Sequence, residues 1–256
     1  MINRGTPVLI DFDGIIRLVD RIAPDAEEFF SFLKSNDIPF FLLSNSTLRT
    51  SGEMLEFMKS NGIKIEIPSM TAVDAVLDYV KENYKRVSVY CRSNIKALFS
   101  EFDTNDNPEA VVIGDIGDGW TYEKLNEIFR KVFNGADIIA MHKNRYWEPD
   151  GKIPIMDAGA FISAIEYATS KTAILIGKPS PIYFNTALKK LGFEPGSKFI
   201  MVGDDLESDI TAAQQIGGKG ILVYTGKTKY PRIDTAIRPD FEAKNLREVV
   251  SILSGL

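Results

Sequence analysis

Apolar and polar positions along this chain follow two rhythms. Short, mainly apolar runs occupy residues 8–10, 38–43, 87–91, 110–113, 137–141, 199–202 and 220–224. They have the length and the Val/Ile-rich content of strands buried on both faces. Between them the apolar residues recur at helical spacing. Ala26, Phe29, Phe30 and Leu33 mark a helix over 23–35, with Pro24 suited to its first turn. A helix over 50–60 stops at Asn61-Gly62, and Val73, Val76, Leu77 and Val80 mark another over 71–84. Further helices are expected at 94–100, 122–133, 160–169 and 246–253. Strands alternating with helices build a parallel sheet with right-handed crossovers, so the fold class is α/β. Polar breaks at 104–108 and 143–145 punctuate a second α/β series in the middle.

The ends of these runs hold the chemistry. The first stops on Asp11, with Asp13 two residues on and Gly14 behind it. Side chains at i and i+2 of an extended segment point the same way, so the two carboxylates can share one site. Acids that close need a cation or a proton with them. The run at 38–43 ends on Ser44-Asn45-Ser46, and that at 199–202 on Gly203-Asp204-Asp205 with Asp209 following. Lys178 lies in Gly177-Lys178-Pro179-Ser180-Pro181. Open α/β sheets bind ligands at the C-terminal ends of their strands. Taken singly, each signal has an ordinary alternative: Asp205 and Ser46 as caps or turn formers, Lys178 as a solvated loop lysine. Their order, and the apolar strand leading into most of them, favours a shared site. They lie toward the two extremities of the chain, which predicts one sheet interrupted by an inserted domain.

Composition narrows the chemistry. With 256 residues, 45% hydrophobic and 25% charged, the chain can bury a sizeable core. A net charge of −5 disfavours a nucleic acid or an anionic membrane as partner. No apolar run approaches the ~18 residues of a membrane span, and the start lacks a signal-peptide pattern, so a cytoplasmic location is expected. Cys91 is the single cysteine, read as a buried structural thiol in a strand. His142 is the single histidine, which removes Ser-His-Asp, Cys-His and multi-His zinc chemistry. Carboxylates, hydroxyls and lysine remain.

Those groups suit phosphoryl transfer. Mg²⁺ prefers a few carboxylate oxygens, retained water and substrate phosphate; Asp11 and Asp204 from separate strands can supply part of such a shell. A lysine offers positive charge to the phosphoryl oxygens, a carboxylate can attack phosphorus, and a second acid can move the proton. In Asp11-Phe12-Asp13-Gly14, Ser44-Asn45-Ser46, Gly177-Lys178-Pro179-Ser180-Pro181 and Gly203-Asp204-Asp205-Leu206-Glu207-Ser208-Asp209-Ile210, the chain resembles a haloacid dehalogenase (HAD) superfamily phosphatase. The large type-II cap subclass, NagD-like and 4-nitrophenylphosphatase-like, is the one it is similar to. That resemblance implies a Rossmann-like doubly wound parallel sheet over 1–82 and 171–256, with a smaller α/β cap inserted at 83–170. It implies Asp11 as nucleophile and Mg²⁺ ligand, and Asp13 as general acid/base with its backbone carbonyl on the metal. Ser44, Asn45 and Lys178 would bind phosphate, Asp204 would complete the metal ligands, and Asp205 and Asp209 would stand behind them. The second acid, Asp13, sets the chain apart from the dehalogenases of the superfamily.

The cap would supply leaving-group contacts from loops 141–147 and 155–160, where His142 and Asp157 are candidate specificity residues. The resemblance also implies a homodimer through the cap. Tyr146 and Trp147 read more naturally as cap packing or a dimer contact than as a stacking platform, and residues 227–229 as a solvated loop. The expected substrate is a small phosphorylated metabolite, hydrolysed as a phosphomonoester. A pyrophosphatase or phosphoamidase acting on P–O–P or P–N bonds is the alternative, and a non-catalytic phosphate-sensing protein a third. A receiver-type signalling domain would need neither Asp13 nor an inserted cap.

Overall fold

The computed structural model describes residues 5–147, 153–231 and 236–256. The chain runs β1 (Val8–Asp11), α1 (Ala26–Ser35), β2 (Phe40–Ser44), α2 (Ser51–Ser60), β3 (Ser69–Thr71), α3 (Ala72–Asn83), β4 (Val87–Tyr90) and β5 (Ala110–Ile113). It continues through α4 (Tyr122–Phe133), β6 (Asp137–Ala140), α5 (Ala158–Thr169), β7 (Ile174–Leu175), α6 (Pro181–Lys190), β8 (Ile200–Gly203), β9 (Lys219–Val223), β10 (Phe241–Ala243) and α7 (Leu246–Ser254). Two antiparallel pairs of two-residue strands, Arg17–Leu18 with Arg21–Ile22 and Tyr146–Trp147 with Ile155–Met156, and the short helix Ala212–Gln215 accompany these elements.

Packing divides the chain into two compact units. The first holds the chain up to Ser44, Ser51–Met70 and Lys178–Leu256; the second holds Asn45–Thr50 and Thr71–Gly177. Against the boundaries expected from sequence, α3 and β7 group with the inserted unit.

In the first unit the strand order is β10-β9-β8-β1-β2-β3, and the pairings from β10 to β2 are parallel. The chain moves outward from β1 to β2 and β3, then returns to the other side of β1 as β8. Connections leaving β1 and β8 therefore diverge, which opens a crevice at their C-terminal ends. Val8 and Ile10, Ile200 and Val202, and Ile221 and Val223 form one buried face with Phe29, Phe30 and Leu33 of α1, Met54 and Met58 of α2, and Leu246 and Val249 of α7. The intervening Leu9, Met201 and Leu222 are fully buried too. Their opposite orientation follows from strand alternation, and Phe199, in phase with Met201, stacks on Phe184 of α6 at 6.0 Å. Burial on both faces is why these strands read as unbroken apolar runs. Each large side chain so buried contributes about 1.5–3 kcal/mol.

In the second unit β7-β6-β5-β4 form a parallel sheet. Val111, Ile113, Ile138 and Ala140 pack against Ile128 and Val132 of α4 and Ile162 and Ile165 of α5. Trp120 stacks on Phe161 with centroids 4.4 Å apart. Cys91 is buried, and burial pushes its thiol up to about 12.

Helix starts follow the capping chemistry. Thr71 and Asp74 form a capping box on α3, and Ser180 caps α6 with Pro181 in its first turn. α1 begins at Ala26, so Pro24 lies ahead of the Asp25 cap and outside the first turn. The helix expected at 94–100 breaks into Ser93–Lys96 and the 3-10 turn Ala97–Phe99. α5 starts at Ala158 because Asp157 caps it. Among the described residues no helix is long and apolar enough to cross a membrane.

Candidate active site

Asp11 closes β1 as a buried carboxylate, 5% exposed. Its Oδ1 accepts a hydrogen bond from Lys178 Nζ at 2.6 Å, and the same ammonium donates to Asp209 Oδ1 at 2.7 Å. Lys178 itself is 3% exposed, delivered just ahead of the capped start of α6. Burial pushes the Asp11 carboxyl well above the usual carboxylate range, with Lys178 opposing and Asp209, Asp204 and Asp13 adding to the rise. Burial alone would lower Lys178, but Asp11 and Asp209 outweigh it and hold the ammonium well above its ordinary value. One cation thus serves two buried acids.

Asp13 is treated differently. Beyond β1 the chain turns, with Gly14 N–H donating to the Arg17 carbonyl at 2.8 Å. Arg17 Nε then donates to Asp13 Oδ1 at 2.7 Å, and Ser44 Oγ to Asp13 Oδ2 at 2.9 Å. Asp11 and Asp13 lie two residues apart, yet each has its own neutralising cation. Ser44, at the end of β2, is buried, and its carbonyl accepts the Tyr183 hydroxyl at 2.7 Å.

β8 supplies the remaining acids. Asp205 caps the π-helical turn Leu206–Thr211 through its Oδ1, which accepts Glu207 N–H at 2.9 Å and Ser208 N–H at 3.2 Å. Its Oδ2 pairs with Lys227 Nζ. Burial would raise the Asp205 carboxyl, but Lys227 and the two backbone donors hold it below its ordinary value. Asp209 comes back from the turn fully buried, its Oδ2 accepting Asp205 N–H at 3.2 Å. It packs where Gly203 leaves room, since a Cβ there would collide with the Asp209 carboxylate. Asp204 accepts the Lys227 N–H on Oδ2, and burial, with Asp209 next, pushes it up to about 6. Gly14, at φ +85°, and Gly226 both border the Asp204 carboxylate, and a Cβ on either would strike Oδ2. Only glycine fits these two approaches.

Five acids (Asp11, Asp13, Asp204, Asp205, Asp209) thus meet three cations (Arg17, Lys178, Lys227), and four of the acids take a side-chain cation. Among the described residues Asp204 has no side-chain cation, only a backbone donor. Asp11, Asp204 and Asp209 each offer an oxygen within 4.8 Å of the others, a cluster that could hold a metal ion. Crowded, cation-poor carboxylate oxygens are a hard-donor set of the kind Mg²⁺ takes. Asp11 and Asp204 were expected on the metal by their carboxylates and Asp13 by its backbone carbonyl; the carboxylates brought together are Asp11, Asp204 and Asp209, and the Asp13 carboxylate turns to Arg17 and Ser44.

The other candidates fall in the second unit. Asn45 groups there, immediately after Ser44. His142 is buried, its Nδ1 accepting Asn144 N–H at 3.1 Å and its Nε2 3.6 Å from Asp157 Oδ1. Burial lowers the imidazole, against the opposing charges of Asp157 and Asp115. The Asp157 carboxylate accepts Ala158 N–H at 2.7 Å, so its first employment is to cap α5. Sequence reasoning missed Arg17, Tyr183, Gly226 and Lys227. Residues 227–229 form the largely exposed loop expected, and Lys227 in addition engages Asp204 with its N–H and Asp205 with its ammonium. The available signal was Thr225-Gly226-Lys227 directly after an apolar run, the same strand-end arrangement that marked Asp11 and Asp204.

A crevice at the reversal of strand order, lined by aspartates from two strands and a buried lysine, defines a HAD-type hydrolase centre. Two family models match, haloacid dehalogenase-like hydrolase over residues 8–105 and HAD-hydrolase-like over 175–249. The chain belongs to the haloacid dehalogenase-like hydrolases. It is 34% identical over 221 residues to haloacid dehalogenase-like hydrolase domain-containing protein 2 of Bos taurus, covering 86% of this chain and 84% of that protein. It is 30% identical over 229 residues to the phospholysine phosphohistidine inorganic pyrophosphate phosphatase of Rattus norvegicus, covering 86% and 82%. Its structure is similar to 4-nitrophenylphosphatase from Thermotoga maritima, with a TM-score of 0.86, 25% identity and 97% of each chain covered.

Proposed function

We propose that this chain is a Mg²⁺-dependent phosphatase that hydrolyses small phosphomonoesters through an aspartyl-phosphate on Asp11. The observation that supports this reading most is the single buried ammonium of Lys178 shared by Asp11 and Asp209, while Asp13 is paired separately with Arg17 and Ser44. That distribution suits two carboxylates with different tasks. In the first step an Asp11 oxygen attacks phosphorus as the P–O bond to the leaving group breaks, and Asp13 gives its proton to the departing oxygen. In the second, Asp13 takes a proton from water, whose oxygen displaces Asp11 and releases inorganic phosphate. Lys178, Ser44 and Asn45 hold the phosphoryl oxygens during both displacements. Mg²⁺ would be held by Asp11 and Asp204 with the Asp13 carbonyl, Asp205 and Asp209 standing behind, and would neutralise charge on the transferring group.

Replacement of Asp11 by Asn is expected to lower phosphate release from p-nitrophenyl phosphate by roughly 10⁴-fold or more, with the fold intact by circular dichroism. Undiminished hydrolysis by that variant would overturn the mechanism. A second reading, cleavage of P–O–P or P–N bonds, is favoured by the likeness to the phospholysine phosphohistidine inorganic pyrophosphate phosphatase over most of both chains. Comparing phosphate release from pyrophosphate and phospholysine with release from sugar and nucleotide monophosphates separates the two.

A further inference from the structure

Residues 225–228, which follow β9, tie three parts of the first unit together. Thr225 Oγ1 donates to the Gly14 carbonyl at 2.5 Å, reaching the turn after β1. Gly226 lies against both the Asp204 carboxylate and Gly14 Cα, with no room for a side chain. Lys227 then spans the two neighbouring aspartates. Its N–H donates to Asp204 Oδ2 and its ammonium pairs with Asp205 Oδ2. Thr228 N–H adds a bond to the Asp204 carbonyl at 3.2 Å.

We infer that Lys227 is a positioning residue for metal binding: by anchoring on Asp205, its ammonium holds the 225–228 segment so that its own N–H fixes the Asp204 carboxylate. This rests on the reading of Asp204 as a metal ligand. Asp204 has no side-chain cation of its own among the described residues, so its rotamer depends on that one N–H and on the two glycines beside it. The Lys227 side chain is 71% exposed, against 17% for Asp205. An exposed lysine on a partly buried carboxylate adds little to stability; its consequence lies in what the partner orients. Carboxylates that bind metal are themselves held by hydrogen bonds from outside the ligand shell, and losing such a support costs 10–100-fold in affinity.

The test compares wild type with Lys227→Met and Lys227→Arg, measuring Mn²⁺ binding to substrate-free protein by electron paramagnetic resonance. Lys227→Met is expected to weaken Mn²⁺ binding at least about tenfold, while Lys227→Arg, which keeps the cation on Asp205, retains binding close to wild type. In turnover assays the apparent Mg²⁺ requirement of Lys227→Met should rise, with kcat at saturating Mg²⁺ changing less. Wild-type Mn²⁺ affinity in Lys227→Met overturns the positioning role and leaves the phosphatase reading standing. Failure of the wild-type protein to bind Mn²⁺ overturns both, and wild type alone reveals it.

Discussion

The two units use buried polar side chains in opposite ways. At the ends of β1 and β8, polar groups face one another: Lys178 bridges Asp11 and Asp209, Arg17 and Ser44 take Asp13, and Asp204 is left to a backbone donor. In the second unit the polar groups around α5 mostly serve backbone. Asp157 caps α5, His142 accepts Asn144 N–H, and Glu166 accepts both Lys143 Nζ, at 2.7 and 2.8 Å, and Ala173 N–H at 2.7 Å. Burial is common to both regions, so burial alone does not mark a reactive site. What marks it is excess like charge: three carboxylates crowded around one ammonium cannot satisfy one another without a further cation.

The largest expected effect comes from deleting one lysine in each region. Lys178→Met removes the one side-chain cation that two nearly inaccessible acids have among the described residues, and breaking a buried pair in this way costs about 3–5 kcal/mol. Lys143→Met removes a cation from Glu166, whose side chain is 16% exposed and keeps the Ala173 N–H, against a lysine that is 29% exposed. Its cost should be about 1 kcal/mol or less. Urea denaturation at pH 7 measures both. Lys178→Met should also lower p-nitrophenyl phosphate hydrolysis by on the order of 10²-fold or more, through loss of charge at the phosphoryl oxygens. Equal destabilisation by the two variants breaks the comparison.

The same contrast explains what was legible in the sequence. β1, β2, β8 and β9 are buried on both faces, so their apolar runs stand out and the acids at their ends stand out against them. β3 and β10 are three residues long, held by neighbours rather than by pattern, and left no comparable run, while β7 is only two residues of the apolar stretch 173–176. The acids were visible because Asp11, Asp13, Asp204 and Asp209 end or follow strong strands. Their cations were less so. Arg17 reaches Asp13 back across the turn that follows β1, and Lys227 reaches Asp204 by its main chain, an interaction a side-chain motif does not encode. The π-helical turn at Leu206–Thr211, which returns Asp209 to Lys178, depends on the Asp205 cap and on the missing side chain at Gly203.

A smaller effect separates the two readings of Asp157. If capping is its main work, Asp157→Ala costs about 1 kcal/mol and Asp157→Asn, still able to accept Ala158 N–H, retains most of that stability. Substrate ranking over a phosphomonoester panel should then be the same in all three proteins. A reordered ranking in Asp157→Asn, at unchanged stability, would return Asp157 to the specificity residues and weaken the contrast between the units.

The smallest effect is a slope. Burial lowers His142, so the folded protein resists protonating an imidazole that the unfolded chain protonates freely below its ordinary value of about 6.5. A depressed folded-state value means that stability present above about pH 6.5 declines as pH falls, until the folded protein also takes the proton. Asp157, 3.6 Å from Nε2, and Asp115 stabilise the imidazolium and limit the decline. His142→Asn keeps an acceptor for Asn144 N–H while removing the titration. Its unfolding free energy should therefore fall less steeply between pH 7 and pH 5 than that of wild type, in denaturant titrations at matched ionic strength. A steeper fall in His142→Asn would mean that the acids around His142 outweigh burial, making this corner of the second unit a charge cluster like the one around Lys178.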